Sequence, residues 1–162
     1  MNDETRFLVD ENLLGLVKWL RMMGVDAAVV MGASDDDLLA KAQAENRVLL
    51  TKDRRFYERI PGHLRYFVSK EIPKEQLLEV LEHFGAPSED EELTRCFNCN
   101  TPIEEVDKES IRDLVDAKTF HLYDKFYQCP TCKKIYWEGS HYHKMQKEIA
   151  QLKADLNRAK SS

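Results

Sequence analysis

Phe7-Leu8-Val9-Asp10-Glu11-Asn12 is the stretch on which the fold turns: three apolar residues run straight into three polar ones. An apolar run without alternation reads as a strand covered on both faces, as in a parallel sheet, and its abrupt polar end reads as that strand reaching a rim. Downstream, Leu13, Leu16, Val17, Leu20 and Met23 recur at helical spacing and Gly24 stands where such a helix is capped, which predicts a helix over 13–23. Residues 27–31 predict a second strand. Ser34 is an N-cap candidate, with Asp35, Asp36 and Asp37 in the first turn of a helix over 35–45. Val48-Leu49-Leu50-Thr51 predicts a third strand that runs into Lys52-Asp53-Arg54-Arg55, and residues 65–68 a fourth. Pro73 opens a helix that stops after Phe84 at Gly85.

Strands alternating with helical patterns imply right-handed crossovers, hence a three-layer α/β domain with a mainly parallel sheet. Residues 86–92 lack apolar periodicity and end on four consecutive acids, which predicts a linker. The expected organisation is therefore a first domain over 1–92 and a second over 93–162, the latter ending in a helix from about His143 to Lys160.

At 162 residues, 43% apolar and 33% charged, the chain can bury a real core, which excludes wholesale disorder. No apolar run approaches the roughly 20 residues of a membrane helix, and the first residues lack the order of a signal peptide. The expectation is a cytoplasmic protein with no membrane partner. Residues 1–92 carry 12 basic and 19 acidic side chains, whereas 93–162 carry 12 and 10. The seven basic and three acidic residues between Lys133 and Lys160 are placed either to meet phosphates or to solvate a helix face.

In an open parallel sheet, function gathers beyond the carboxyl ends of the strands. Asp10 ends the first predicted strand, Asp35 starts the helix after the second, and Asp53 follows the third. Carboxylates brought that close repel one another unless a cation lies between them. Hard oxygen donors suit Mg²⁺ or Mn²⁺, which recruit phosphate oxygens and activate water. This predicts a nuclease site with Asp10, Asp35 and Asp53 as catalytic metal ligands. Glu11, Asp36 or Asp37 would assist, and Asn12, Lys52, Arg54 and Arg55 would bind substrate. Each acid also has a structural reading, as a helix N-terminus or the start of a turn.

Cys96-Phe97-Asn98-Cys99 and Cys129-Pro130-Thr131-Cys132 form two C-x-x-C knuckles separated by 29 residues. Two knuckles complete a tetrahedral S₄ site that favours structural Zn²⁺ with no open position for catalysis. A thioredoxin-like redox reading fails, because neither pair opens a helix in a βαβ unit. Phe126, Tyr127, Tyr136 and Trp137, interleaved with Lys125, Lys133 and Lys134, are either the core of this module or a base-stacking surface. His141 and His143 are spare ligand or phosphate-contact candidates. Met145, Ile149, Leu152 and Leu156 form one apolar stripe, the pattern of a docking face.

The sequence Phe7 to Asn12, the run Asp35-Asp36-Asp37-Leu38-Leu39-Ala40-Lys41-Ala42 and Leu49-Leu50-Thr51-Lys52-Asp53-Arg54-Arg55-Phe56 together resemble PIN-like ribonucleases. The nearer resemblance is to the PIN-like family named for the C-terminal RNase domain of the Mut-seven exonuclease, in which a zinc ribbon follows the PIN-like part. Trp19-Leu20-Arg21, both cysteine pairs and Tyr136-Trp137-Glu138-Gly139-Ser140-His141 fit it, over roughly residues 6–146. The resemblance implies a ribonuclease with no defined substrate, RNA as partner, and a protein regulator of the antitoxin type. One departure is that many PIN nucleases carry a further acid between the first and third, and residues 13–34 offer only Asp26.

Two other enzyme classes are excluded. A receiver-type phosphoacceptor needs a fifth strand and helix for which the stretch before residue 92 has no room, and a dinucleotide fold needs a Gly-rich turn after the first strand. A non-catalytic zinc-ribbon RNA-binding or adaptor protein stands as the alternative, favoured by the net negative charge of residues 1–92.

Overall fold

The computed structural model describes residues 1–2 and 4–162. The chain divides into two compact units, Met1–Leu93 and Thr94–Ser162. Unit one holds β1 (Phe7–Val9), α1 (Leu14–Met22), β2 (Ala27–Ala28), α2 (Asp35–Glu45), β3 (Val48–Thr51), α3 (Arg54–Arg59), β4 (Arg65–Phe67) and α4 (Pro73–Phe84). Its four strands form one sheet in the order β2-β1-β3-β4, with every neighbouring pair parallel.

Chain direction across that sheet decides where the helices go. The step from β1 to β2 runs one way, and the steps from β2 to β3 and from β3 to β4 run the other. Right-handed crossovers therefore put α1 on one face and α2 and α3 on the opposite one. Packing agrees: Leu8 and Leu49, which are paired in register, share a buried cluster with Leu38 and Ala42 of α2 and Phe56 of α3. Phe7 points the other way, as pleating requires, and meets Phe84 of α4 edge-on at 5.0 Å. Helix α4 packs on α1 on that side. With Phe7, Leu8, Val9, Leu49 and Leu50 fully buried, and each such side chain worth about 1.5–3 kcal/mol in burial, β1 and β3 are the stabilising centre of the unit.

Caps set the helix bounds. The Ser34 hydroxyl accepts a hydrogen bond from the Asp37 N–H at 3.1 Å, Pro73 opens α4, and Gly85 closes it at φ +88°. The second strand is shorter than residues 27–31, because β2 lies at the sheet edge and pairs only through Ala27 and Ala28 before the chain turns at Gly32. Val30 and Met31 are left exposed. A short helix, α3, follows Asp53, where the sequence shows no periodicity because only Phe56 of its six residues is buried. Within 86–92, residues Glu89–Glu91 form a 3-10 turn.

Unit two holds β5 (Glu104–Val106), a 3-10 helix (Lys108–Leu114), α5 (Ala117–Leu122), β6 (Phe126–Gln128), β7 (Ile135–Tyr136) and α6 (Ser140–Ser161). Its strands form an antiparallel sheet in the order β5-β6-β7. Helix α6 begins three residues before His143, and its buried residues are Ile149, Leu152 and Leu156. Among the described residues, no helix is long and apolar enough to cross a membrane.

Candidate functional site

Neighbouring strands β1 and β3 send their following helices to opposite faces of the sheet, which opens a crevice beyond their carboxyl ends. Asp10 stands at the end of β1 and Asp53 just past β3. Thr51, the last residue of β3 and fully buried, joins them. Its hydroxyl donates to Asp10 Oδ2 at 3.0 Å and accepts the backbone N–H of Asp53 at 3.0 Å. Asp10 is itself only 8% exposed, and its Oδ1 takes the Asn12 N–H at 3.3 Å. Asp53 Oδ1 caps α3 through the N–H groups of Arg55 and Phe56, at 2.9 and 3.1 Å. The Asp10 carboxylate is thus held by the Thr51 hydroxyl and the Asn12 N–H, and the Asp53 carboxylate by the first turn of α3, while Thr51 ties the backbone at Asp53 to Asp10.

Asp35 opens α2 and is half exposed, with its Oδ2 3.6 Å from Arg59 Nη1. Arg59, at the end of α3, also pairs with Asp36. Nothing in the sequence links Arg59 to these acids, which lie 23 and 24 positions upstream. Asp10, Asp35 and Asp53 carry hard oxygen donors of the kind that Mg²⁺ or Mn²⁺ takes. As placed, however, the three do not form one cluster of candidate ligand atoms. Asp26, the one other acid of residues 13–34, pairs with Arg47 at 2.6 Å and precedes β2, at the far end of the sheet from Asp10.

The other expected residues divide. Glu11 accepts the Gly32 N–H at 2.9 Å and so ties the loop after β2 to the rim. Lys52 donates to the Lys70 carbonyl at 3.0 Å and pairs with Glu71, while Arg54 lies over the Phe67 ring at 3.8 Å. Asn12, Asp37 and Arg55 are exposed, and the Arg55 guanidinium makes no ion pair among the described residues.

Unit two builds its site from two equivalent turns. The Cys96 N–H bonds to the Thr101 carbonyl, and the Asn100 N–H to the Cys96 carbonyl, at 2.8 and 2.9 Å. The second turn repeats this pattern with Cys129, Lys134 and Lys133, at 3.0 and 2.9 Å. Asn100 and Lys133 occupy the same position in their turns and share a left-handed backbone, at φ 67° and 68°. The hydroxyls of Thr101 and Thr131 bond across at 3.0 Å. All four thiols lie within 4.8 Å of one another, and no other group of three or more candidate ligands among the described residues does so.

Chemistry and distance both fit zinc. Thiolates at about 2.3 Å from a tetrahedral ion are about 3.8 Å apart, and Cys96 Sγ is 3.7 Å from Cys132 Sγ. Burial opposes ionisation of Cys96, but a hydrogen bond from the Tyr136 hydroxyl at 3.1 Å and the N–H groups of Cys99 and Asn98 prevail, bringing its pKa to about 7. Cys99 is pushed up to about 12 by its hydrogen bond with Cys132 and by the neighbouring thiols. One thiol ionises readily and its neighbour resists, as expected where negative charges crowd together without a cation. His141 and His143 are exposed, and neither belongs to the sulfur cluster.

Fold and sites together define a parallel α/β protein with carboxylates at its strand ends, followed by a four-cysteine module that fits zinc. The family model described as the Mut7-C RNAse domain matches residues 5–149, and the chain belongs to that family. That membership gives the protein a nuclease-type character. Comparison with curated proteins and with solved structures gave no match.

Proposed function

We propose that this protein is a metal-dependent ribonuclease that hydrolyses RNA phosphodiester bonds at a PIN-like acidic site in residues 1–92. A zinc ribbon in residues 93–162 binds RNA or a protein partner. The observation that carries the reading is the Thr51 hydroxyl, which joins Asp10 to Asp53 in the crevice between β1 and β3. A buried carboxylate held by a buried hydroxyl at a strand end is more than the packing of β1 and β3 requires, and family membership supplies the nuclease context.

In this reading Asp10, Asp53 and Asp35 would hold Mg²⁺ or Mn²⁺, which would supply Lewis-acid stabilisation of charge on phosphodiester oxygens. Thr51 orients the Asp10 carboxylate and positions the backbone of Asp53, whose carboxylate the N–H groups of Arg55 and Phe56 hold, so little reorganisation accompanies reaction. Arg55, unpaired at the start of α3, meets a backbone phosphate, and the exposed Asn12 orients the strand. Lys52 and Arg54 support the rim through Lys70 and Phe67. The cysteines hold zinc, which links the two knuckles and stabilises a module with few fully buried apolar residues. A four-thiolate zinc site fits a reducing, cytoplasmic setting.

One observation favours the adaptor reading. Arg59 pairs with both Asp35 and Asp36, which offsets part of the negative charge of the rim without a cation. Incubation of the zinc-loaded chain with single-stranded and structured RNAs, with and without added Mn²⁺, separates the two. The ribonuclease predicts cleavage that requires the added ion. Binding with no cleavage under any divalent ion would contradict it and leave the adaptor.

A further inference from the structure

Of the four aromatic residues beside the second knuckle, three are committed within unit two. Phe126 is fully buried, Tyr136 bonds to Cys96 Sγ, and Tyr127 lies in the middle of the central strand β6. Trp137 is different. It lines a cavity of about 420 Å³, within the roughly 300–1,000 Å³ range of small-ligand sites. Leu114, Val115 and Ile135 supply apolar walls, and Lys133 and Lys134 line the same space. The Trp137 ring contacts Phe126, with centroids 6.2 Å apart, yet its indole N–H finds no acceptor among the described residues. Gly139 leaves room for it, since a Cβ there would come within 2.8 Å of Nε1.

Charge decides what such a cavity takes. Lys133 and Lys134 form no ion pair among the described residues. The one acid in the lining, Asp116, spends both oxygens on capping α5, accepting from the Thr119 N–H and hydroxyl at 2.8 Å each. A ligand for this space has a flat apolar body, hydrogen-bond acceptors on its edge and negative charge alongside. A peptide meets two of those demands only through a particular sequence, whereas a nucleotide meets all three as a repeating unit.

We infer that this cavity is a single-nucleotide subsite for single-stranded RNA, with a base held against Trp137 and the adjoining phosphates on Lys133 and Lys134. This rests on RNA being the substrate of the proposed ribonuclease. It goes further in assigning the contact to a cavity distinct from the acidic rim.

The test is fluorescence anisotropy of a labelled single-stranded RNA decamer with the zinc-loaded full chain, without added Mg²⁺ or Mn²⁺, across a range of salt. Trp137→Ala is expected to weaken binding about ten-fold, as loss of one stacked base does, with Trp137→Phe recovering most of it. Lys133→Glu with Lys134→Glu should lower the slope of log affinity against log salt by about 1.4, at about 0.7 per phosphate contact. Zinc content matching that of the unmodified chain establishes that the variants retain the module. Unchanged RNA affinity in both zinc-loaded variants would overturn the assignment. So would failure of the unmodified chain to bind RNA at low salt. Because no cleavage is read, a chain that binds through Trp137 yet never cuts RNA would count against the ribonuclease alone.

Discussion

Thr51 has one hydroxyl and two obligations, as donor to a buried carboxylate and acceptor for the N–H of Asp53. Thr51→Val keeps the shape and removes both bonds, leaving Asp10 without its side-chain donor. We expect a loss of about 1–3 kcal/mol in urea unfolding, largely restored in Thr51→Ser; stability equal to the unmodified chain would show that the bridge is incidental. Arg59 is the second informative residue. Its guanidinium and Asp35 are each about half exposed, so their pairing is weak and screened. Arg59→Ala should therefore tighten Mn²⁺ binding only two- to five-fold or so, followed by the loss of free-ion signal in paramagnetic resonance. Weaker binding would mean that Arg59 supports the site rather than competing for it. Neither residue's role was readable in the sequence, since each depends on partners brought together by the β1–β3 register and by the placing of α3 beside α2.

At the level of elements, what could be read followed from local chemistry. Helices α2 and α4 have the bounds expected from Ser34, Pro73 and Gly85, because caps act within one turn. Strand β2 stops short of residue 31 and helix α3 leaves no signal in the sequence, for the opposite reason. An apolar run becomes strand only where a neighbour offers hydrogen bonds, and six residues with one buried side chain carry no period. The cysteine knuckles were legible from spacing alone, whereas their matched left-handed residues, Asn100 and Lys133, were not. Turn geometry also predicts a contrast between two glycines. Gly24 has φ +81°, and a Cβ there would lie 2.0 Å from the Glu91 carbonyl oxygen, whereas Gly32, at φ +71°, faces open space. Gly32→Ala should cost about 1 kcal/mol from backbone conformation alone, and Gly24→Ala more than about 3. Equal shifts in thermal midpoint would show that Glu91 yields freely.

For the whole molecule, the proposed function assigns different ions to the two sites: the sulfur donors in unit two would select zinc, and the oxygen donors in unit one Mg²⁺ or Mn²⁺. The purified chain should hold one zinc per molecule, and Cys96→Ser should lose it together with the protection of β5–β7 against hydrogen exchange. A zinc-free chain with full protection there would overturn that account. The ribonuclease claim is tested most directly by single-turnover cleavage of single-stranded RNA in Mn²⁺, comparing the unmodified chain with Asp53→Asn. Asn caps a helix about as well as Asp, so α3 should survive the exchange while a charged ligand disappears. The account predicts a fall in rate of at least about 100-fold, on the scale of losing one group that stabilises transition-state charge, with the thermal midpoint preserved. Undiminished cleavage by Asp53→Asn would contradict it.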